Sequence, residues 1–106
     1  MSENLALTEA VFYILLALHT PLHGYGIMQR AEEMSGGRVR LAAGTLYGAL
    51  NTLCDKGWIE ALPGEGSRGK KQYQITPAGR AAATAELARL KELVANGETV
   101  MKGEDQ

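Results

Sequence analysis

Apolar positions recur along this chain first with a helical period and later with a strand-like alternation, and the two rhythms lay out its elements. The block Val11, Phe12, Ile14, Leu15, Leu16, Ala17 and Leu18 leaves almost no polar side. It predicts a helix that starts at Thr8 as N-cap, carries Glu9 in its first turn and runs to about His19 before Pro21 stops it. A helix apolar nearly all round must be covered both by its own domain and by something else, for which a second copy of the chain is the simplest source. Ile27, Ala31 and Met34 stand at i, i+4 and i+7 and predict a second helix, opened by His23-Gly24-Tyr25-Gly26 and closed by Ser35-Gly36-Gly37. Leu46, Leu50 and Leu53 repeat that spacing and predict a third helix over about 42–56, ended by Gly57. The segments 58–62 and 71–76 alternate as two antiparallel strands around a flexible basic tip, Glu65-Gly66-Ser67-Arg68-Gly69-Lys70. Thr76 as cap and Pro77 at the first helical position then begin a last helix. There Ala83, Leu87, Leu90 and Val94 form a seam suited to a partner helix, while Arg89 and Glu92 are expected to point outward. Asn96-Gly97 is expected to end it, leaving 98–106 frayed.

This order of elements predicts a mainly α fold with a small β-hairpin wing, a winged helix-turn-helix over 1–76 followed by a dimerisation helix and tail over 77–106. The third helix is the expected reader. Opposite its leucine stripe lie Gly44, Thr45, Gly48, Asn51 and Thr52, small or hydrogen-bonding residues where a solvated helix would carry long charges. Such a face can approach another surface closely.

Composition limits the alternatives. With 106 residues the chain is one domain by length and marginal alone, so an oligomer sharing its core is expected. Its 45% hydrophobic and 22% charged residues are those of a soluble globular protein, and no apolar run approaches a membrane span. Met-Ser-Glu-Asn lacks the basic start of a signal peptide, so a cytoplasmic location is expected. The lone Cys54 sits beside the apolar stripe and reads as quietly buried. His19 and His23 are spaced like a helical metal pair, but Pro21 between them breaks the helix, so neither a metal nor any other cofactor is expected. No nucleophile, base and carboxylate set or phosphate loop points to an enzyme. A net charge of −1 hides an asymmetry: 1–35 carries −3, 81–106 carries −2, and 36–80 carries +4 through Arg38, Arg40, Lys56, Arg68, Lys70, Lys71 and Arg80 against Asp55, Glu60 and Glu65. Positive charge thus gathers on the segment with the bare-faced helix and the hairpin, as phosphate binding requires.

Gly24-Tyr25-Gly26-Ile27, Gly44-Thr45-Leu46-Tyr47 with Leu50 and Leu53 behind it, Gly57, and Gly69-Lys70-Lys71-Gln72-Tyr73-Gln74-Ile75-Thr76 with Gly79 together resemble the PadR family of winged-helix transcriptional repressors, over roughly residues 5–95. The single helix after the wing is similar to the short subgroup of that family. The resemblance implies a homodimer made by the N- and C-terminal helices, here Val11, Phe12 and Leu15 with Ala83, Leu87, Leu90 and Val94, a third helix in a major groove, and a wing on backbone or minor groove. It implies a phosphate or base contact for Tyr47 and a backbone contact near Tyr25, although Tyr25 reads from sequence as packed at the start of the second helix. Two positions depart from the pattern. Gly48 stands where proline is frequent, and Ala42 where a capping serine is common, a cap worth about 1 kcal/mol. Some relatives hold flat aromatic ligands with aromatic side chains of the last helix, and residues 77–106 contain none.

The expected partners are therefore double-stranded DNA, a second copy of the chain and a small-molecule effector that relieves repression. Asn51 and Thr52 are candidate base readers, and Gly44, Thr45 and Gly48 permit close approach, with helix amides and the Thr45 hydroxyl for phosphate. Arg68, Lys70, Lys71 and Gln72 are expected on DNA at the wing, and Arg38 and Arg40 are either phosphate clamps or solvated loop charges. Trp58 is expected to plug the core between wing and helices. A competing function is a protein-interaction module that keeps the winged-helix fold without reading DNA sequence.

Overall fold

The computed structural model describes residues 6–63 and 71–104, and within them the chain runs α1 (Glu9–Ala17), α2 (Gly24–Met34), α3 (Ala43–Asp55), β1 (Ile59–Leu62), β2 (Gln72–Ile75) and α4 (Pro77–Glu104). The Thr8 hydroxyl accepts from the Val11 amide at 3.1 Å, which fixes the start of α1. Ile14, Leu15 and Leu18 meet Ile27 of α2 and the α3 stripe Leu46, Leu50 and Leu53 in one core. Each of these aliphatic side chains contributes about 1.5–3 kcal/mol by leaving water. Gly57 has φ 78, and its amide and that of Trp58 donate to the carbonyls of Cys54 and Leu53 at 2.9 and 3.0 Å. That left-handed turn closes α3 and aims the chain into the hairpin. Trp58, half-buried, packs on the core with Lys56 over its ring.

β1 and β2 pair antiparallel with Ile59 opposite Ile75 and Ala61 opposite Tyr73, so that Ile59, Tyr73 and Ile75 face inward. One anchor of this hairpin has no signature in the local pattern. Leu22 and Tyr73 exchange backbone hydrogen bonds at 3.1 and 2.9 Å, and the Ile75 amide donates to the Leu18 carbonyl at 2.9 Å. The segment between α1 and α2 thereby acts as a third strand and fixes the wing root beside the α2 N-terminus.

α4 departs from expectation. It passes through Asn96-Gly97 without a break and continues to Glu104, so the residues from 98 to 104 are helical, not frayed. A glycine inside a helix costs about 1 kcal/mol relative to alanine, which does not stop a helix with good formers on both sides. Every residue from Lys91 to Gly103 is exposed. Along that stretch Leu93, Val94, Val100 and Met101 are each more than half exposed, and Met101 prolongs the seam one heptad beyond Val94.

The residues expected at a dimer contact divide into two groups. Leu15 is fully covered by its own chain and Ala83 is 6% exposed, so both belong to the internal core and offer no surface to a partner. Leu87 and Val94 are exposed, while Val11, Phe12 and Leu90 are half-buried.

Arg89 does not point outward as expected. Its guanidinium donates to both carboxylate oxygens of Glu86 at 2.9 and 2.6 Å, and Glu86, only 4% exposed, also accepts from the Leu7 amide at 3.3 Å. The cluster ties α4 to the segment entering α1. Arg89 holds the Glu86 carboxyl below its ordinary value, against the opposing effect of burial. Glu86→Ala is expected to cost about 2 kcal/mol, since hydrogen bonds to a charged group are lost and the Leu7 amide is left unpaired. Because the folded-state pKa is depressed, this contribution is complete above the unfolded value of about 4.3 and is lost as pH falls through the lower folded value. Thermal melts of both proteins should therefore differ most at neutral pH and converge in acid.

Candidate nucleic-acid interface

α3 presents its outward face without obstruction. Thr45, Asn51 and Thr52 are exposed, and the positions where a Cβ would stand on Gly44 and Gly48 are open space. Ala42 supplies no side-chain cap, so the first-turn amides of α3 remain available to an anion. The Thr52 hydroxyl donates to the Gly48 carbonyl at 3.2 Å. Asp55 shares this face and is also exposed. Its charge was visible in the sequence, and 100° steps from Gly44 would have placed it there.

Beside this face lies an open concavity of about 710 Å³ between the α2 N-terminus, α3 and the wing root, lined in part by His23, Tyr25, Tyr47, Lys71, Gln72 and Tyr73. Tyr25 is 67% exposed at its edge, which corrects the expectation that it packs inward. Placed on the first turn of α2, outside the Ile27 and Ala31 row, its ring has no core to enter. The His23 ring donates from Nδ1 to the Lys71 carbonyl at 3.2 Å and so couples the start of α2 to the wing. His19 bonds separately to the Leu15 and Leu16 carbonyls, at 3.1 and 3.2 Å, so the two histidines serve different backbone sites. Among the described residues no cluster of His, Cys, Asp and Glu could hold a metal ion.

Gly24 explains how Tyr47 reaches the concavity. A methyl group on Gly24 would overlap the Tyr47 hydroxyl and stand 2.8 Å from its Cζ, so the phenol lies directly across the first residue of α2. Gly24→Ala is expected to leave the fold intact, because Tyr47 is 46% exposed and its ring end can swing away. If the hydroxyl contacts DNA in its present place, affinity should fall about tenfold, the worth of one hydrogen bond to a charged group. Unchanged affinity in a titration of a folded Gly24→Ala protein would remove Tyr47 from the interface.

The cations are distributed unevenly. Arg38 is paired with Glu9, and Arg40 approaches Glu32 at 3.5 Å and donates to the Gly37 carbonyl at 3.2 Å. Both are thus engaged by neighbouring acidic side chains. Lys71 is exposed and has no carboxylate partner among the described residues, and Gln72 beside it is half-buried in β2. Arg68 and Lys70, expected at the wing tip, lie outside the described residues. Burial pushes the Cys54 thiol above its ordinary value, with Asp55 adding to the shift, so it remains a neutral packed thiol. No helix among the described residues is long and apolar enough to cross a membrane.

Comparison with known proteins matches this arrangement. The sequence model of a family described as "Transcriptional regulator PadR-like family" matches residues 13–85. An uncharacterised 37.1 kDa protein of transposon Tn4556 from Streptomyces fradiae is 41% identical over 73 residues, which are 68% of this chain and 20% of that protein. This chain therefore spans a fifth of the length of that relative. A PadR family transcription regulator from Clostridium difficile superposes with a TM-score of 0.74 over 89% of this chain and 99% of its own, at 19% identity. Bacillus subtilis PadR, solved in complex with operator DNA, superposes with a TM-score of 0.64 over 73% of this chain and 46% of its own, at 26% identity.

Proposed function

The chain belongs to the PadR-like family of transcriptional regulators, and on that premise we propose that it is a cytoplasmic homodimeric repressor that binds a pseudopalindromic operator through α3 and the wing. The observation that carries this reading is the open face of α3, continuous with a concavity where Tyr25, Tyr47 and Lys71 meet the α2 N-terminus. The face suits the major groove, and the concavity suits the flanking phosphates. The DNA complex of the Bacillus subtilis protein supports the assignment. In this division of labour residues 1–76 bind DNA and α4 brings two copies together. The seam of exposed Leu87, Val94 and Met101 with half-buried Leu90 supports that role, as does the length of α4, 28 residues or about 42 Å. Two-fold symmetry of the dimer then demands an inverted repeat with half-sites one helical turn apart. Repression follows where the operator overlaps a promoter, and a small-molecule effector would relieve it.

The engagement of Arg38 by Glu9 and of Arg40 by Glu32 favours the competing reading, an interaction module, because among the described residues it pairs both arginines between α2 and α3 with acidic side chains. Lys71 separates the two. Under the regulator reading, Lys71→Glu weakens binding to the upstream DNA of its own gene by roughly tenfold at low salt and flattens the dependence of log K on log salt by about one unit. Fluorescence anisotropy across a salt series measures both. Undetectable binding by the unaltered protein, or a salt slope indifferent to Lys71, would shift the assignment to the interaction module.

A further inference from the structure

The exposed face of α3 carries some of the chemistry that reads base pairs and lacks the rest. Between Ala43 and Asp55 there is no arginine, lysine, glutamine, glutamate or histidine. Guanine is most often read in the major groove by a bidentate arginine or lysine on O6 and N7, and this helix offers neither. What it offers is Asn51, an exposed amide whose donor and acceptor match adenine N7 and N6. Thr52 stands next to it with its hydroxyl proton given to the Gly48 carbonyl, so toward a groove floor it offers an oxygen that can only accept and a methyl whose complement is a thymine methyl. Open space at the Cβ positions of Gly44 and Gly48 lets the helix backbone sit deep enough for these short side chains to reach base edges. Asp55, the one charge on the helix, is its last residue and lies one turn beyond Asn51.

From this we infer that each operator half-site has a core of A·T pairs beneath α3, with adenine opposite Asn51 as the position that sets specificity. The inference rests on the regulator reading and specifies the DNA that α3 selects. Selection of the full-length protein against a randomised duplex library, followed by titrations with single-pair changes, tests it. The expected result is an inverted repeat with adjacent A·T pairs in each half, in which exchanging the key pair for G·C lowers affinity about 10- to 100-fold. Asn51→Ala should erase preference at that one pair while leaving the salt slope unchanged, and Asn51→Arg should move the preference there to guanine. Asn51 is solvent-exposed, so circular dichroism should show all three proteins equally folded. Salt-dependent binding to half-sites with G·C beneath the helix, or full base preference retained by Asn51→Ala, overturns the inference alone. Binding to no duplex at any salt overturns the regulator reading and this inference with it.

Discussion

Val94→Asp is expected to reduce operator affinity by two orders of magnitude or more while leaving the winged helix folded. Val94 is 58% exposed and lies on the part of α4 where every residue from Lys91 to Gly103 is exposed, so its replacement disturbs no core contact among the described residues. Across a dimer seam the same carboxylate would sit beside its symmetry mate in an apolar environment, where an unpaired charge costs far more than the methyl groups it replaces. Loss of the dimer leaves one half-site contact at a time. Linking two binding modules raises affinity by about 10²–10⁴ without any new contact, and that factor is what the substitution removes. Sedimentation and a DNA titration on the same sample distinguish the outcomes. A monomer that still binds with undiminished affinity would show that one copy suffices, and a dimer unchanged by Val94→Asp would place its interface elsewhere than on α4.

Val94 lies within the helix that the sequence predicts, while the continuation of α4 to Glu104 does not follow from it, which shows where periodicity is informative and where it is not. α3 was legible because each of its signals is local: three leucines at helical spacing, a bare opposite face, and a glycine whose φ of 78 the turn requires. The hairpin was legible for the same reason, its register confirming the alternation of Ile59, Tyr73 and Ile75. Asn96-Gly97 misled because a stop signal is only a local preference of about 1 kcal/mol, and the heptad continuing to Met101 was the stronger pattern. Other features depend on residues far apart in the chain and leave no periodic trace. The Leu22–Tyr73 pairing, the Glu86 carboxylate beneath the Leu7 amide and the Tyr47 hydroxyl over Gly24 are of this kind. The same holds for Leu15 and Ala83, whose apolar character was plain but whose partner, their own core or a second chain, the sequence does not distinguish. At the interface, residue types were readable and their engagement was not: Arg38 and Arg40 contribute to the positive segment on paper, yet Glu9 and Glu32 occupy them in the fold.

Gly79→Ala should be among the most damaging single-methyl changes this chain can suffer, by about 3 kcal/mol and about 10–20 °C in melting midpoint. Ordinarily the same substitution within a helix stabilises it by about 1 kcal/mol, so the sign must reverse. The reversal comes from what stands opposite. Gly79 is buried in the first turn of α4, and a methyl there would overlap the Trp58 carbonyl oxygen and stand 2.8 Å from Ile75 Cγ1. The carbonyl cannot retreat freely, because it accepts from the Thr76 amide at 2.9 Å, and Thr76 in turn caps α4 through the Gly79 amide and donates to the Gly57 carbonyl. Moving any one of these would disturb the end of α3, the start of β1 and the start of α4 together, which is why the cost exceeds that of ordinary overpacking at a side chain. Gly97→Ala in the same helix is the matched control: nothing lies within 4 Å of the added methyl, so it should stabilise by about 1 kcal/mol. Opposite shifts in paired thermal melts would establish that glycine at 79 serves the close approach of Trp58 to α4, and equal shifts would refute it.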